Sequence, residues 1–92
     1  MQRDENLVRT LLSHLQGIEA SKQLGDTLVL VQPHHEAMDV PGGFKIDGYT
    51  GPQIDDHLRL MIAERLIVGQ TEGWGIHFDR LTPAGLTLLN KP

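Results

Sequence analysis

The residues of this chain best suited to chemistry are His34, His35 and Glu36, because imidazole and carboxylate groups are ordinary ligands of first-row metals. Neighbouring side chains in a loop rarely converge on one ion, and neither an HExxH pattern nor a second ligand pair at helical spacing accompanies them, so a solvated loop is the better reading. His14, His57 and His77 are scattered along the chain and form no cluster by spacing. Asp55 and Asp56 are adjacent carboxylates, but helix neighbours point about a hundred degrees apart and do not readily share a proton. They read as charges placed near the positive end of a helix dipole. Ser13 and Ser21 have no nucleophile motif around them, and the glycines at 42–43 and 73–75 fit neither phosphate-binding pattern. No catalytic residue, metal ligand or cofactor site is expected, and the chain does not read as an enzyme.

The strongest signals instead concern the scaffold between Tyr49 and Ile76. Thr50 is an N-cap candidate, Pro52 suits the first helical turn, and Ile54, Leu58, Met61 and Ile62 recur at helical spacing as one apolar stripe. Gln53, Asp56, Arg59, Leu60, Ala63 and Glu64 fall on other faces. Beyond Leu66 the period changes. Ile67 and Val68 are β-branched, Glu72-Gly73 is a turn signal, and Trp74, Ile76 and Phe78 alternate with Gly75 and His77, which predicts a hairpin.

Upstream, Asp4 can cap a helix whose residues Leu7, Val8, Leu11, Leu12 and Leu15 form an apolar stripe; Gly17 is a plausible end, with Ile18 to Leu24 open to an added turn or short second helix. Thr27 to Gln32 is a run of β-formers between Asp26 and Pro33 and predicts a buried strand. Residues 33 to 43 carry two prolines and a Gly-Gly pair and read as a loop or a wide connection, before Phe44 to Asp47 alternates as a second strand. The expected core is Leu7, Leu11, Leu12, Leu15, Ile54, Leu58, Met61, Ile62, Ile76 and Leu86.

Ninety-two residues suffice for one domain with one modest core, so residues 1–92 are read as a single unit. There is no cysteine, hence no disulfide or thiol chemistry, no apolar run near the length of a membrane span, and no signal-peptide pattern; the cytoplasm is the expected location. The formal net charge is −4, which denies the chain the general attraction to phosphate that nucleic-acid binders use, unless its few cations gather on one face.

The run His57-Leu58-Arg59-Leu60-Met61 followed by Leu66-Ile67 resembles the helix and wing of winged helix-turn-helix repressors, and Leu81-Thr82-Pro83-Ala84-Gly85-Leu86-Thr87-Leu88-Leu89 is similar to their closing helix. Together with Met1-Gln2-Arg3-Asp4 and Ile46-Asp47-Gly48-Tyr49, these motifs most resemble a family of short bacterial and prophage proteins known as domain of unknown function 2513. The likeness covers the first helix and residues 46 to 89. It implies an α+β winged-helix-like domain in the order helix, strand, loop, strand, helix, β-hairpin, short C-terminal helix, and it implies no established activity. Two features depart from it. An ordinary winged helix has a complete helix where this chain has strand, loop and strand, and Arg65 stands where similar repressors place the glycine that ends the recognition helix.

Two functions of different classes follow. A DNA-linked transcriptional regulator or accessory factor would set Gln53, Asp56, His57 and Arg59 in the major groove, with residues 71 to 75 along the backbone of double-stranded DNA. An acidic protein-interaction module would keep the fold without DNA contact and would use an exposed Leu60 and Trp74 as anchors. The superfamily likeness ranks the first ahead, with the second as the alternative, although the charges oppose the first. From Ile46 to Asp79 the acids are Asp47, Asp55, Asp56, Glu64, Glu72 and Asp79, against Arg59 and Arg65 as the cations. A homodimer is expected, as DNA readers of this superfamily commonly form, with Val29 and Val31 at the contact because the strand they occupy would otherwise keep an unpaired edge; a monomer would favour the interaction module.

Overall fold

A computed structural model of the protein describes residues 3–21, 27–31, 43–44, 46, 48–71 and 75–91. Their order is α1 (Glu5–Ser21), β1 (Thr27–Val31), β2 (Gly43–Phe44), α2 (Gly51–Ala63), β3 (Ile67–Thr71), β4 (Gly75–Leu81) and α3 (Pro83–Leu89), a small α+β domain of three helices and a sheet.

Helix α1 begins as its sequence dictates. The Leu7 amide donates to Asp4 Oδ1 at 3.0 Å, which satisfies one of the amides that a helix start leaves without an internal partner. Leu7, Val8, Leu11, Leu12 and Leu15 are buried on one stripe. Gly17 does not end the helix; the chain takes the added turn that the sequence left open after it. The chain continues helically to Ser21, and this extra turn carries Glu19 to the end of β4, where Oε1 accepts from the Leu81 amide at 2.7 Å. Gly17 is thus an exposed interior helix position with open space where a Cβ would stand. Gly17→Ala should raise stability by about 0.5–1 kcal/mol through lower unfolded-state entropy, read as a higher thermal midpoint.

Helix α2 is defined at both ends. Thr50 Oγ1 accepts from the Gln53 amide at 3.2 Å, and Gln53 Oε1 accepts from the Thr50 amide at 2.8 Å, a reciprocal capping box. Asp55 and Asp56 therefore lie in the second turn, beyond the first turn where the dipole acts most strongly. At the other end Arg65 adopts φ 58°, its amide donates to Ile62 O at 3.0 Å, and the Leu66 amide donates to Met61 O at 2.9 Å. This pair of bonds is the Schellman termination usually built on glycine. The helix stops as sharply as it would with glycine, and an arginine carries the strain of the left-handed conformation.

The four strands lie in the order β2-β1-β4-β3. Strands β3 and β4 form the expected antiparallel hairpin, with a register shift between Val68 and Gly69. The glycine at 69 is required by space, since a Cβ there would stand 2.5 Å from the His77 carbonyl oxygen on β4. Strand β1 pairs antiparallel with β4 from Thr27 to Leu30 and parallel with β2 at Leu30 and Val31. It is therefore interior to the sheet. Of the second strand expected at Phe44 to Asp47, the described part is Gly43–Phe44, and Lys45 and Asp47 lie outside the described residues.

The core joins the inner faces of α1 and α2 to the sheet. Leu7, Val8, Leu11, Leu12, Leu15, Ile54, Leu58, Met61, Ile76 and Phe78 are at most 1% exposed, so nearly every expected core position is filled as read. Ile62 packs against this cluster from a half-buried position. Leu86 is a correction: it is 38% exposed, whereas Gly85 is buried and Leu88 and Leu89 pack against the core from half-buried positions.

Candidate functional site

The face of α2 turned away from the core is the surface on which both functional readings depend, and the structure rearranges most of its expected contact residues. Gln53 is exposed, but its side-chain oxygen is turned back onto the Thr50 amide. Asp56 is exposed, as expected.

His57 is not on the outer face. It is 5% exposed, Nε2 accepts from the Asp4 amide at 3.1 Å, and Nδ1 lies 2.7 Å from the Gln53 carbonyl oxygen. Both bonds are satisfied together by the tautomer with its proton on Nδ1, because a backbone carbonyl can only accept. The ring therefore bolts the start of α1 to the first turn of α2 and is withdrawn from any contact with a partner. This was legible in principle. Position 57 follows Ile54 by three and precedes Met61 by four, so it lies on the buried stripe.

The same junction holds a group that sequence reasoning missed. Tyr49 donates its hydroxyl proton to Asp4 Oδ2 at 3.1 Å, so Asp4 receives Leu7 and Tyr49 on its two oxygens while its amide serves His57. The Leu7 amide, with help from the Tyr49 hydroxyl, holds the Asp4 carboxyl below its ordinary range, and partial desolvation together with the Asp4 carboxylate pushes the Tyr49 phenol up. A depressed folded-state pKa makes the Asp4 contribution complete above the unfolded value of about 3.9 and removes it as pH falls through the folded value. Asp4→Asn should therefore lower the thermal midpoint at neutral pH and narrow its lead over the variant below about pH 4, measured by melting from pH 7 to pH 2.5.

The arginine of the outer face is matched within the chain, as is Arg3 beside it. Arg59 Nε donates to Asp55 Oδ2 at 2.8 Å, and the Asp55 side chain is 8% exposed, so the one cation of α2 is folded down along its own helix. Arg3 Nη1 reaches both Glu64 oxygens at 2.7 and 2.8 Å, and Arg3 Nε lies 2.7 Å from Glu5. These contacts clasp the N-terminus to the end of α2. Leu60 is half-buried and does not stand free as the helical wheel suggested; Ala63 is exposed beside it. Among the described residues, Arg65 and Arg80 are exposed cations at the foot of the hairpin, where Arg80 pairs across the ladder with Val68.

Trp74, the Glu72-Gly73 turn and the cluster His34, His35 and Glu36 lie outside the described residues. Val29 and Val31 lie on β1, where Val29 is in register with Ile76 and Val31 with Phe44. The unpaired strand edge on which a dimer contact at these positions was expected is thus already occupied within the chain. No helix among the described residues is long and apolar enough to cross a membrane. Comparisons with models of protein families, with curated proteins and with solved structures find no match to this chain.

Proposed function

We propose that the protein is a winged-helix-like interaction domain without catalytic activity, whose partner is a protein and whose helix α2 does not read DNA. The observation that carries this reading is the state of the α2 outer face. Asp56 stands exposed, Arg59 is held by Asp55, Glu64 is the anchor of Arg3, and His57 is buried. Base reading in the major groove needs donors that reach outward from such a helix, and phosphate positioning needs cations beside them. This face offers a carboxylate in their place, and an exposed carboxylate repels phosphate while favouring a basic or neutral protein surface.

The winged-helix part of the proposal rests on the order of helix, hairpin and short closing helix, together with the resemblance of residues 57–67 and 81–89 to that superfamily. The parallel β1–β2 pair stands in the region where an ordinary winged helix has its second helix.

A DNA-linked regulator is the second reading, favoured by the exposed Arg65 and Arg80 at the base of the hairpin. The two separate in a titration of labelled random-sequence duplex at low salt, where even non-specific binders respond. The protein-interaction reading expects no binding there. Salt-dependent binding would transfer the function to the second reading.

A further inference from the structure

The sheet has two outer strands, and they differ in a way that points to a binding surface. Strand β2 is two residues long, whereas β3 runs for five, as Ile67-Val68-Gly69-Gln70-Thr71. Its inner side is bonded to β4, and among the described residues no backbone hydrogen bond outside that ladder reaches it. Val68, Gln70 and Thr71 are exposed. Proteins usually blunt such an edge with a charge, a proline, a bulge or a covering segment; β3 itself carries no charged residue and no proline, and its one irregularity is the register shift between Val68 and Gly69. The row of amides and carbonyls along its outer side is a template for another strand.

The chemistry at one end of this edge selects its occupant. Arg65, two residues before β3, is exposed, and its backbone is fixed by the Schellman bonds and by the Thr82 hydroxyl, which donates to Arg65 O at 2.6 Å. Arg80 stands opposite Val68 with its side chain 66% exposed, and its contact with the Asp79 carboxylate is a loose 3.9 Å. The nearest acid at the end of α2, Glu64, is taken by Arg3. Two outward guanidinium groups therefore flank the start of a neutral strand edge that no described segment pairs with, in a chain whose net charge is −4. Guanidinium groups pair with carboxylates in a two-point geometry that lysine does not reproduce.

We propose that the open edge of β3 docks an extended peptide segment of a partner protein, which pairs antiparallel with Ile67–Thr71 and sets carboxylates at its C-terminal end against Arg65 and Arg80. The antiparallel sense is the stronger ladder and brings the end of the peptide to the start of β3. The small exposed side chains of β3 ask little of the peptide beyond alternation, so backbone bonds supply affinity and the two arginines supply direction. This inference rests on the protein-interaction reading above and names its site.

The test uses the whole chain, labelled with nitrogen-15, and two synthetic probes: a peptide of alternating threonine and valine ending in two glutamates, and the same peptide ending in two lysines. The glutamate peptide should shift the amide signals of Ile67–Thr71 and bind about 10-fold more tightly than the lysine peptide, the size expected of two exposed charge pairs. The double variant Arg65→Glu, Arg80→Glu should reverse that preference, and Val68→Lys, at an exposed position, should weaken binding of the lysine peptide further without unfolding the chain. Unmoved β3 signals, shifts confined to another surface, or equal affinity for both peptides would overturn the proposal. A dimer of the free chain that Val68→Lys dissolves would also overturn it, by assigning the edge to a second copy. Duplex binding through α2 would defeat the functional reading while leaving the β3 signals unmoved, so the two failures are distinguishable.

Discussion

Leu58→Ala should destabilise the domain by about 2–5 kcal/mol, the range for removing a buried leucine side chain and leaving a cavity. Leu58 is fully buried on α2, the helix whose inner face joins α1 to the sheet, so its truncation leaves a gap within the core. A domain of this size is stable by only about 5–15 kcal/mol, which makes this loss a large fraction of the total. In urea the midpoint should fall with little change in slope, and the thermal midpoint should drop by about 10 °C or more. A midpoint unchanged by the substitution would mean that α2 turns a different face to the core, and the assignment of its outer face would fail with it.

Gly85→Ala should also be strongly destabilising, although it adds only one methyl group. A Cβ at this position would stand 2.1 Å from the Leu66 carbonyl oxygen, which is backbone and already accepts from the Thr82 amide at 3.1 Å, and 3.4 Å from Leu12 Cδ2. Relief requires α3 to lift from its seat, and overpacking of this kind costs about 1–3 kcal/mol or somewhat more. Leu86→Ala is the control. Because Leu86 is 38% exposed, its truncation should cost well under half as much, an inversion of what residue type alone suggests. Parallel urea melts of the two variants check the pair. Equal losses would place Leu86 in the core after all.

These two cases also show what was legible in the sequence. The stripes of α1 and α2 were, because long helices repeat their period often enough for Leu7 to Leu15 and Ile54 to Met61 to declare one face. The hairpin was, because β-branched residues and alternation mark both strands. In the seven-residue α3 the period repeats only twice, and a glycine leaves no hydrophobic signal for the close approach it permits, so Leu86 drew the assignment that belonged to Gly85. Sheet order was not readable either. The β1–β4 pairing joins residues nearly fifty positions apart in the chain, and local pattern is silent on such partners.

At the candidate site the losses have one physical origin. Helical period places Gln53 and Arg59 off the apolar stripe and residue type puts His57 with them, while the fold recruits all three for internal bonds: Gln53 to its own cap, His57 between Asp4 and the Gln53 carbonyl, and Arg59 to Asp55. A buried polar group is tolerable only when paired, and pairing partners 53 residues away in sequence, as for Asp4 and His57, leave no mark on local periodicity. What sequence did convey was the excess of acid over base around α2, and the ion pairs of the structure sharpen that point by occupying Arg59 and Arg3.

The most direct measurement follows the backbone amide signals of the nitrogen-15 labelled protein as a random-sequence duplex is added at low salt. The expected result is that Gln53, Asp56, Arg59, Leu60 and Ala63, the residues of the α2 outer and flanking faces, keep their positions at every duplex concentration. Contradiction would be a progressive shift of those signals that fades as salt is raised and weakens in Arg59→Ala, because that combination would mean that α2 lies against DNA.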